Sequence, residues 1–262
     1  MKLEIISKHP RAKTHTTPLL CVHGAWHGAW CWENFLPYFA EHGYEAHALS
    51  LRGHGNSDGK DAIRWYSSPR DYVADVAQVV NSMSTPPVLI GHSLGGYVVQ
   101  KYLESQSTPA GVLLASIPPA GITGMFLRML KRHPASTLKS LVLLDAWYMM
   151  STPALAKDAF FSDDYPDEKF LEYYACIQTE SFRIALEASF LNLPRPGRIR
   201  TPLLVIGAEK DRLFTVSEQR KTARVYNTEA IIYPQMAHNM MLEPGWQTVA
   251  DQILNWLNSR NL

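Results

Sequence analysis

The chain has 262 residues, 46% apolar and 19% charged, with a formal net charge of +1, enough length for one large domain with a sizeable core. A charge this balanced argues against nucleic acid as the main partner, since phosphate binding needs a clustered basic surface. No run approaches the roughly 20 apolar residues of a membrane-spanning helix, which argues against a membrane protein. Three cysteines, Cys21, Cys31 and Cys176, stand at no metal or redox spacing. The opening "MKLEIISKHPRAK" lacks the apolar stretch of a secretory signal. The expectation is a cytoplasmic protein with reduced thiols; nothing in these features sets its oligomeric state.

A recurring pattern of apolar strand, glycine-bearing turn and helix runs through the chain. "TPLLCVHG" (17–24) reads as a buried strand leading into "WCWENFLPYFAEHG", where Phe35, Leu36 and Phe39 fall at helical spacing before Gly43. "YEAHALSL" (44–51) is the next strand, followed by the glycine-rich loop "RGHGNSDG". Residues 68–83 form a helix with Tyr72, Val76, Val79 and Val80 on one face. "PPVLIG" (86–91) and "AGVLLAS" (110–116) are strands enclosing a helix that begins after Ser93. "TPLLVIGAEKD" (201–211), the helix "VSEQRKTARVYN" and the strand "TEAIIYP" (228–234) come much later. A closing helix follows, with Trp246, Val249, Ala250, Ile253, Leu254 and Leu257 as its apolar face.

Alternation of this kind, with strands apolar throughout, predicts an α/β fold whose mostly parallel sheet carries helices on both faces. Reaction centres in such sheets lie at the carboxyl ends of the strands. The rhythm stops between Pro118 and Pro194, a helical stretch rich in large apolar residues such as Met125, Phe126, Phe160, Phe182 and Phe190. The expected organisation is a core formed by residues 1–117 and 195–262, with residues 118–194 as an inserted helical cap. For most single cap side chains, core packing is the expected role.

Gly91-His92-Ser93-Leu94-Gly95 fits the G-x-S-x-G nucleophile elbow in the context it requires, strand then sharp turn then helix. The turn lifts the serine oxygen above the sheet, and small neighbours leave room for it. A hydroxyl needs a base to become nucleophilic at neutral pH. His238, just past the last strand, is the candidate. A carboxylate must orient that imidazole, and Asp211 sits just past the preceding strand, with Glu209 as its rival and Asp145 a more distant one. Leu94 supplies one oxyanion N–H, and Ala25, or alternatively Trp26, the second. His23 reads as a structural loop histidine and His54 as a minor pocket residue. His23 and His27 lack the helical H-E-x-x-H setting of a zinc site. No metal or cofactor is expected.

With "HGAW" (23–26), "RGHGNS" (52–57), "GHSLGG" (91–96), Asp211 in "GAEKD" and His238 in "MAHNM", the chain resembles the α/β-hydrolase superfamily over nearly its whole length. "VHGAWHGAWCW" is similar to the plant-type methyl esterases and their bacterial relatives. Ser50 stands in "LSLRGHG" where that family often has aspartate. The resemblance implies an eight-stranded sheet with a helical cap after the sixth strand. It also implies cofactor-free hydrolysis of a carboxylic ester through an acyl-enzyme. The expected substrate is a small to medium, apolar ester. A carbon–carbon bond hydrolase, a perhydrolase and a non-enzymatic small-molecule receptor are the alternatives on the same fold.

Overall fold

In the computed structural model, which describes residues 1–60 and 67–262, seven strands form one sheet. They are β1 (Glu4–Lys8), β2 (Leu19–Val22), β3 (Ala46–Ser50), β4 (Val88–His92), β5 (Gly111–Leu114), β6 (Leu203–Ala208) and β7 (Ala230–Tyr233). Their spatial order is β1-β3-β2-β4-β5-β6-β7. Every neighbouring pair is parallel except β1 with β3. Strands β2, β4, β5 and β6 are buried at each position, as the continuous apolar runs require when both faces are covered. The edge strands β1 and β7 stay partly open to solvent.

The sheet has one strand fewer, among the described residues, than the eight that the family resemblance implies. The stretch between β1 and β2, "PRAKTHTTP" (10–18), is polar, largely exposed and bounded by prolines, which cannot donate to a ladder, so it adds no strand. Conversely, β1 is not among the strands that the apolar runs predict. Its residues are only half-buried or exposed, and it is held by antiparallel register with β3, Ile5 facing Leu49 and Ser7 facing His47.

The helices start where local chemistry tells them to. After α1 (Phe35–Glu41), α2 (Pro69–Ser82) opens on a capping box, in which Ser68 and Asp71 bond each other's backbone N–H and proline fills the first turn. α3 (Leu94–Leu103) follows β4 directly. Between β5 and β6, residues 118–194 hold no strand. They form α4 (Thr123–Arg132), α5 (Pro134–Leu143), α6 (Pro153–Phe160), α7 (Asp167–Tyr174) and α8 (Phe182–Leu186), with a π turn over Glu187–Leu191. α9 (Val216–Val225) and α10 (Trp246–Asn258) complete the chain. No helix among the described residues is long and apolar enough to cross a membrane.

β2 pairs with β3 on one side and β4 on the other, so the chain reverses its direction of travel across the sheet between β2 and β4. A crevice opens outside the carboxyl ends at such a reversal. The segments leaving β2 and β4 are the ones that carry Ala25 and Ser93.

Candidate active site

Ser93 links β4 to α3 with φ 52° and ψ −115°, a conformation that side-chain-bearing residues rarely adopt. Strain of this kind costs about 1–3 kcal/mol and persists only where surrounding bonds fix it. Here the Ser93 N–H donates to the Leu114 carbonyl at 3.0 Å, and its own carbonyl accepts from the N–H groups of Ile117 (3.1 Å) and Tyr97 (3.2 Å). The flanking glycines are steric necessities. A Cβ on Gly91 would stand 2.6 Å from the Gly95 carbonyl oxygen, one on Gly95 2.1 Å from that of Val22, and one on Gly96 2.3 Å from Ser116 Oγ. The motif is therefore the sequence form of a tight strand–helix contact.

The loop after β2 lies against this turn. A Cβ on Gly24 would meet His92 Nδ1 at 2.7 Å and Ser93 Cβ at 3.0 Å, so the glycine lets the backbone reach the serine. His23 is buried and pinned: Nδ1 bonds the Gly24 carbonyl at 2.8 Å, and Nε2 accepts the Leu51 N–H at 3.0 Å. That is the structural role expected of it. Trp26 adopts φ 64°, and its carbonyl accepts from the Gln178 N–H at 2.9 Å. Ala25, Trp26, Ser93 and Leu94 all line one cavity.

His238 and Asp211 meet at the same sheet edge. His238 Nδ1 lies 2.9 Å from Asp211 Oδ2, and both residues are buried. The other carboxylate oxygen of Asp211 accepts the N–H groups of Leu213 (2.8 Å) and Phe214 (3.0 Å), which fixes its orientation. Glu209 is exposed on the outside of the same loop, and Asp145 caps a short 3-10 turn through the Trp147 N–H. His92, next to Ser93 in sequence, bonds through Nε2 to the His238 carbonyl at 3.0 Å and ties the two segments together. Phe160 from the end of α6 and Phe214 lie beside the His238 ring, at centroid distances of 6.1 and 5.6 Å.

Ser50 Oγ donates to Glu4 Oε2 at 2.6 Å and accepts the Ala29 N–H at 2.8 Å. It braces the sheet edge rather than touching the cavity. No group of three or more His, Cys, Asp and Glu among the described residues is arranged to hold a metal ion.

Glu180 is a site residue that the sequence does not announce. It is buried and lines the cavity wall, and it receives the Tyr72 hydroxyl at 2.7 Å and the Ser181 N–H at 2.7 Å, with His54 Nε2 at 3.3 Å. Burial pushes its carboxyl up, but His54 and the hydrogen bonds outweigh that and hold it below the ordinary glutamate value. Nothing in "QTES" (178–181) announces this, because its partners lie in distant segments. The cluster ties the helical segment to α2 and to the loop after β3. Glu180→Ala leaves a buried hydroxyl without its acceptor and a buried imidazole without the carboxylate that faces it, and the expected loss of unfolding free energy is about 3–5 kcal/mol, read from urea midpoints. A loss under about 1 kcal/mol would assign the cluster no structural weight.

A strained serine on a strand–helix turn, tied through His92 to the segment of the His238–Asp211 pair, lies at the carboxyl edge of a mostly parallel sheet, as the α/β-hydrolase class requires. The chain belongs to the alpha/beta hydrolase family, whose sequence model matches residues 19–252. Methylesterase 2 of Arabidopsis thaliana is 38% identical over 252 residues, covering 89% of this chain and 93% of that protein. A monoacylglycerol lipase of Mycolicibacterium smegmatis is 24% identical over 251 residues, covering 92% and 88%. The chain spans less than half the length of several other relatives, 42% for norfluorocurarine synthase 1 of Strychnos nux-vomica. Among solved structures, a thermophilic esterase from Thermogutta terrifontis superposes with a TM-score of 0.75 at 17% identity, over 99% of this chain and 94% of that one.

Proposed function

We propose that the protein is a serine hydrolase of carboxylic esters, with Ser93 as nucleophile, His238 as general base and acid, and Asp211 as the orienting carboxylate. Residues 118–194 act as the cap over the site. The observation that carries this reading is Ser93 itself, a non-glycine residue held at φ 52° between two strands and a helix N-terminus. Backbone hydrogen bonds hold this costly conformation, and it places the Ser93 side chain on the cavity wall. The similarity to an esterase and a lipase points the same way.

In this mechanism Ser93 Oγ attacks the ester carbonyl while His238 Nε2 takes its proton. The Ala25 and Leu94 N–H groups receive the developing oxyanion. His238 then protonates the departing alcohol, leaving an acyl group on Ser93. Water repeats the cycle, with His238 as its base, and releases the acid. Asp211, held by two backbone N–H groups, keeps Nδ1 protonated and Nε2 aimed outward. The substrate is a small to medium ester with an apolar acid portion, as the apolar wall of the cavity favours.

A fluorophosphonate probe tests the assignment. The expected result is stoichiometric modification of Ser93, simultaneous loss of ester hydrolysis, and no labelling of Ser93→Ala. Labelling at another serine with full inactivation would discard the proposed nucleophile.

A further inference from the structure

The cavity beside Ser93 encloses about 40 Å³, room for a few waters at roughly 10–15 Å³ each. Its wall is apolar almost throughout. It includes Ala25 and Leu94 but does not extend to His238. A carbonyl seated on the N–H groups of those two residues turns its acyl side into this cavity, while its alcohol side faces the imidazole that must protonate it.

Beyond Phe126, Phe182 and Ala185 lies a second, apolar groove of about 220 Å³ that opens at the surface. Those three residues line both spaces. The outer wall of the groove is Leu141, Leu186 and Phe190, which are 40%, 43% and 62% exposed. Val142, Leu143 and Leu191, also exposed, neighbour them in sequence on α5 and the π turn. Exposed apolar surface that shares three wall residues with a cavity fits a ligand-binding groove.

We infer that the groove is the outer half of the acyl site and that the acid portion of the substrate is a medium-length unbranched chain. The chain runs from the carbonyl at Ser93 between Phe126 and Phe182 and lies against Leu141, Leu186 and Phe190. Rotation of the half-buried Phe126 ring joins the two spaces. The inference rests on the ester-hydrolase reading above and assigns which half of the ester carries the apolar bulk.

The test uses methyl esters of acetate, butanoate, hexanoate, octanoate, decanoate and dodecanoate, kept below their aggregation concentrations, so that only the acyl chain varies. The expected result is a kcat/KM that climbs with chain length by up to about fourfold per methylene. Phe190→Asp, at an exposed position that tolerates charge in the fold, should lower the dodecanoate-to-acetate ratio by about tenfold or more. Val225→Asp, an equally exposed apolar site on α9 outside the groove, should leave that ratio unchanged.

A ratio flat beyond butanoate, a ratio indifferent to Phe190→Asp, or a rate that rises only once the esters aggregate would overturn the inference while leaving the esterase reading in place. Failure to turn over any methyl ester would count against the esterase reading instead. In that event calorimetry of dodecanoate binding to Ser93→Ala, with and without Phe190→Asp, decides the chain site. Binding weakened by the aspartate supports it, and absence of binding overturns it.

Discussion

Ser93→Ala should lower kcat for ester hydrolysis by about a million-fold, the scale seen when the nucleophile of a serine triad is removed. The residual rate is then what the oxyanion donors and binding supply alone, about a thousand- to ten-thousand-fold over water. Alanine also carries a Cβ, so the backbone strain at φ 52° is nearly the same in both proteins, and the three backbone hydrogen bonds of residue 93 do not involve its side chain. Unfolding free energy therefore stays within about 0.5–1 kcal/mol of the parent. The two measurements belong together. A collapse of kcat at constant stability assigns the hydroxyl to chemistry, while a joint loss would make Ser93 a structural turn residue. A variant that keeps kcat within about tenfold of the parent ends the triad proposal, because no other group at the turn supplies an alkoxide.

Much of this site was legible because its parts obey local rules. The central strands are continuous apolar runs, Ser93 and Asp211 each follow the carboxyl end of one of them, and His238 follows that of the edge strand β7. At the glycines around Ser93 an added Cβ would stand under 3 Å from a neighbouring atom, so only glycine fits. β1 was not legible, since an edge strand with exposed and half-buried positions leaves no apolar run to read. Nor was the Glu180–Tyr72–His54 cluster, whose members are brought together only by tertiary packing. In the helical segment residue type was a poor guide to role. Phe160 turns inward against the His238 ring, whereas Phe190, equally apolar, faces solvent along the groove. Ser50 illustrates the same limit, since its bonds to Glu4 and to the Ala29 N–H depend on where β1 pairs.

Mild acid should unfold this protein, and the buried histidines dictate where. His23, His27 and His92 are buried around the site, and each is bonded as a neutral ring. His23 donates from Nδ1 to Gly24 and accepts at Nε2 from Leu51. His27 bonds the Ala25 carbonyl through Nδ1 and the Asn239 amide through Nε2. His92 donates from Nε2 to the His238 carbonyl, and its buried Nδ1 faces no acceptor. A second proton on any of these rings would oppose a donor or lack an acceptor. Burial foremost, with neighbouring imidazoles, therefore holds His23 and His92 well below the usual histidine value of 6.5. Burial likewise brings His27 down to about 4. The unfolded chain binds these protons from about pH 6.5 downward and the native state does not. Stability is thus fully present above that value and is lost as pH falls toward the native-state values. A ring that stays neutral in the fold contributes a slope of about 1.4 kcal/mol per pH unit, so His27 alone removes about 2 kcal/mol by about pH 5. His23 and His92 act in the same direction, against a total stability of about 5–15 kcal/mol for an ordinary domain. Urea unfolding from about pH 8 to about pH 5 should show a plateau and then a steep fall. His27→Gln, which keeps a donor and an acceptor without the titration, should recover about 2 kcal/mol at the acid end. A free energy that stays level down to about pH 5 would mean that these rings accept protons as readily inside the fold as outside it, contrary to their bonding.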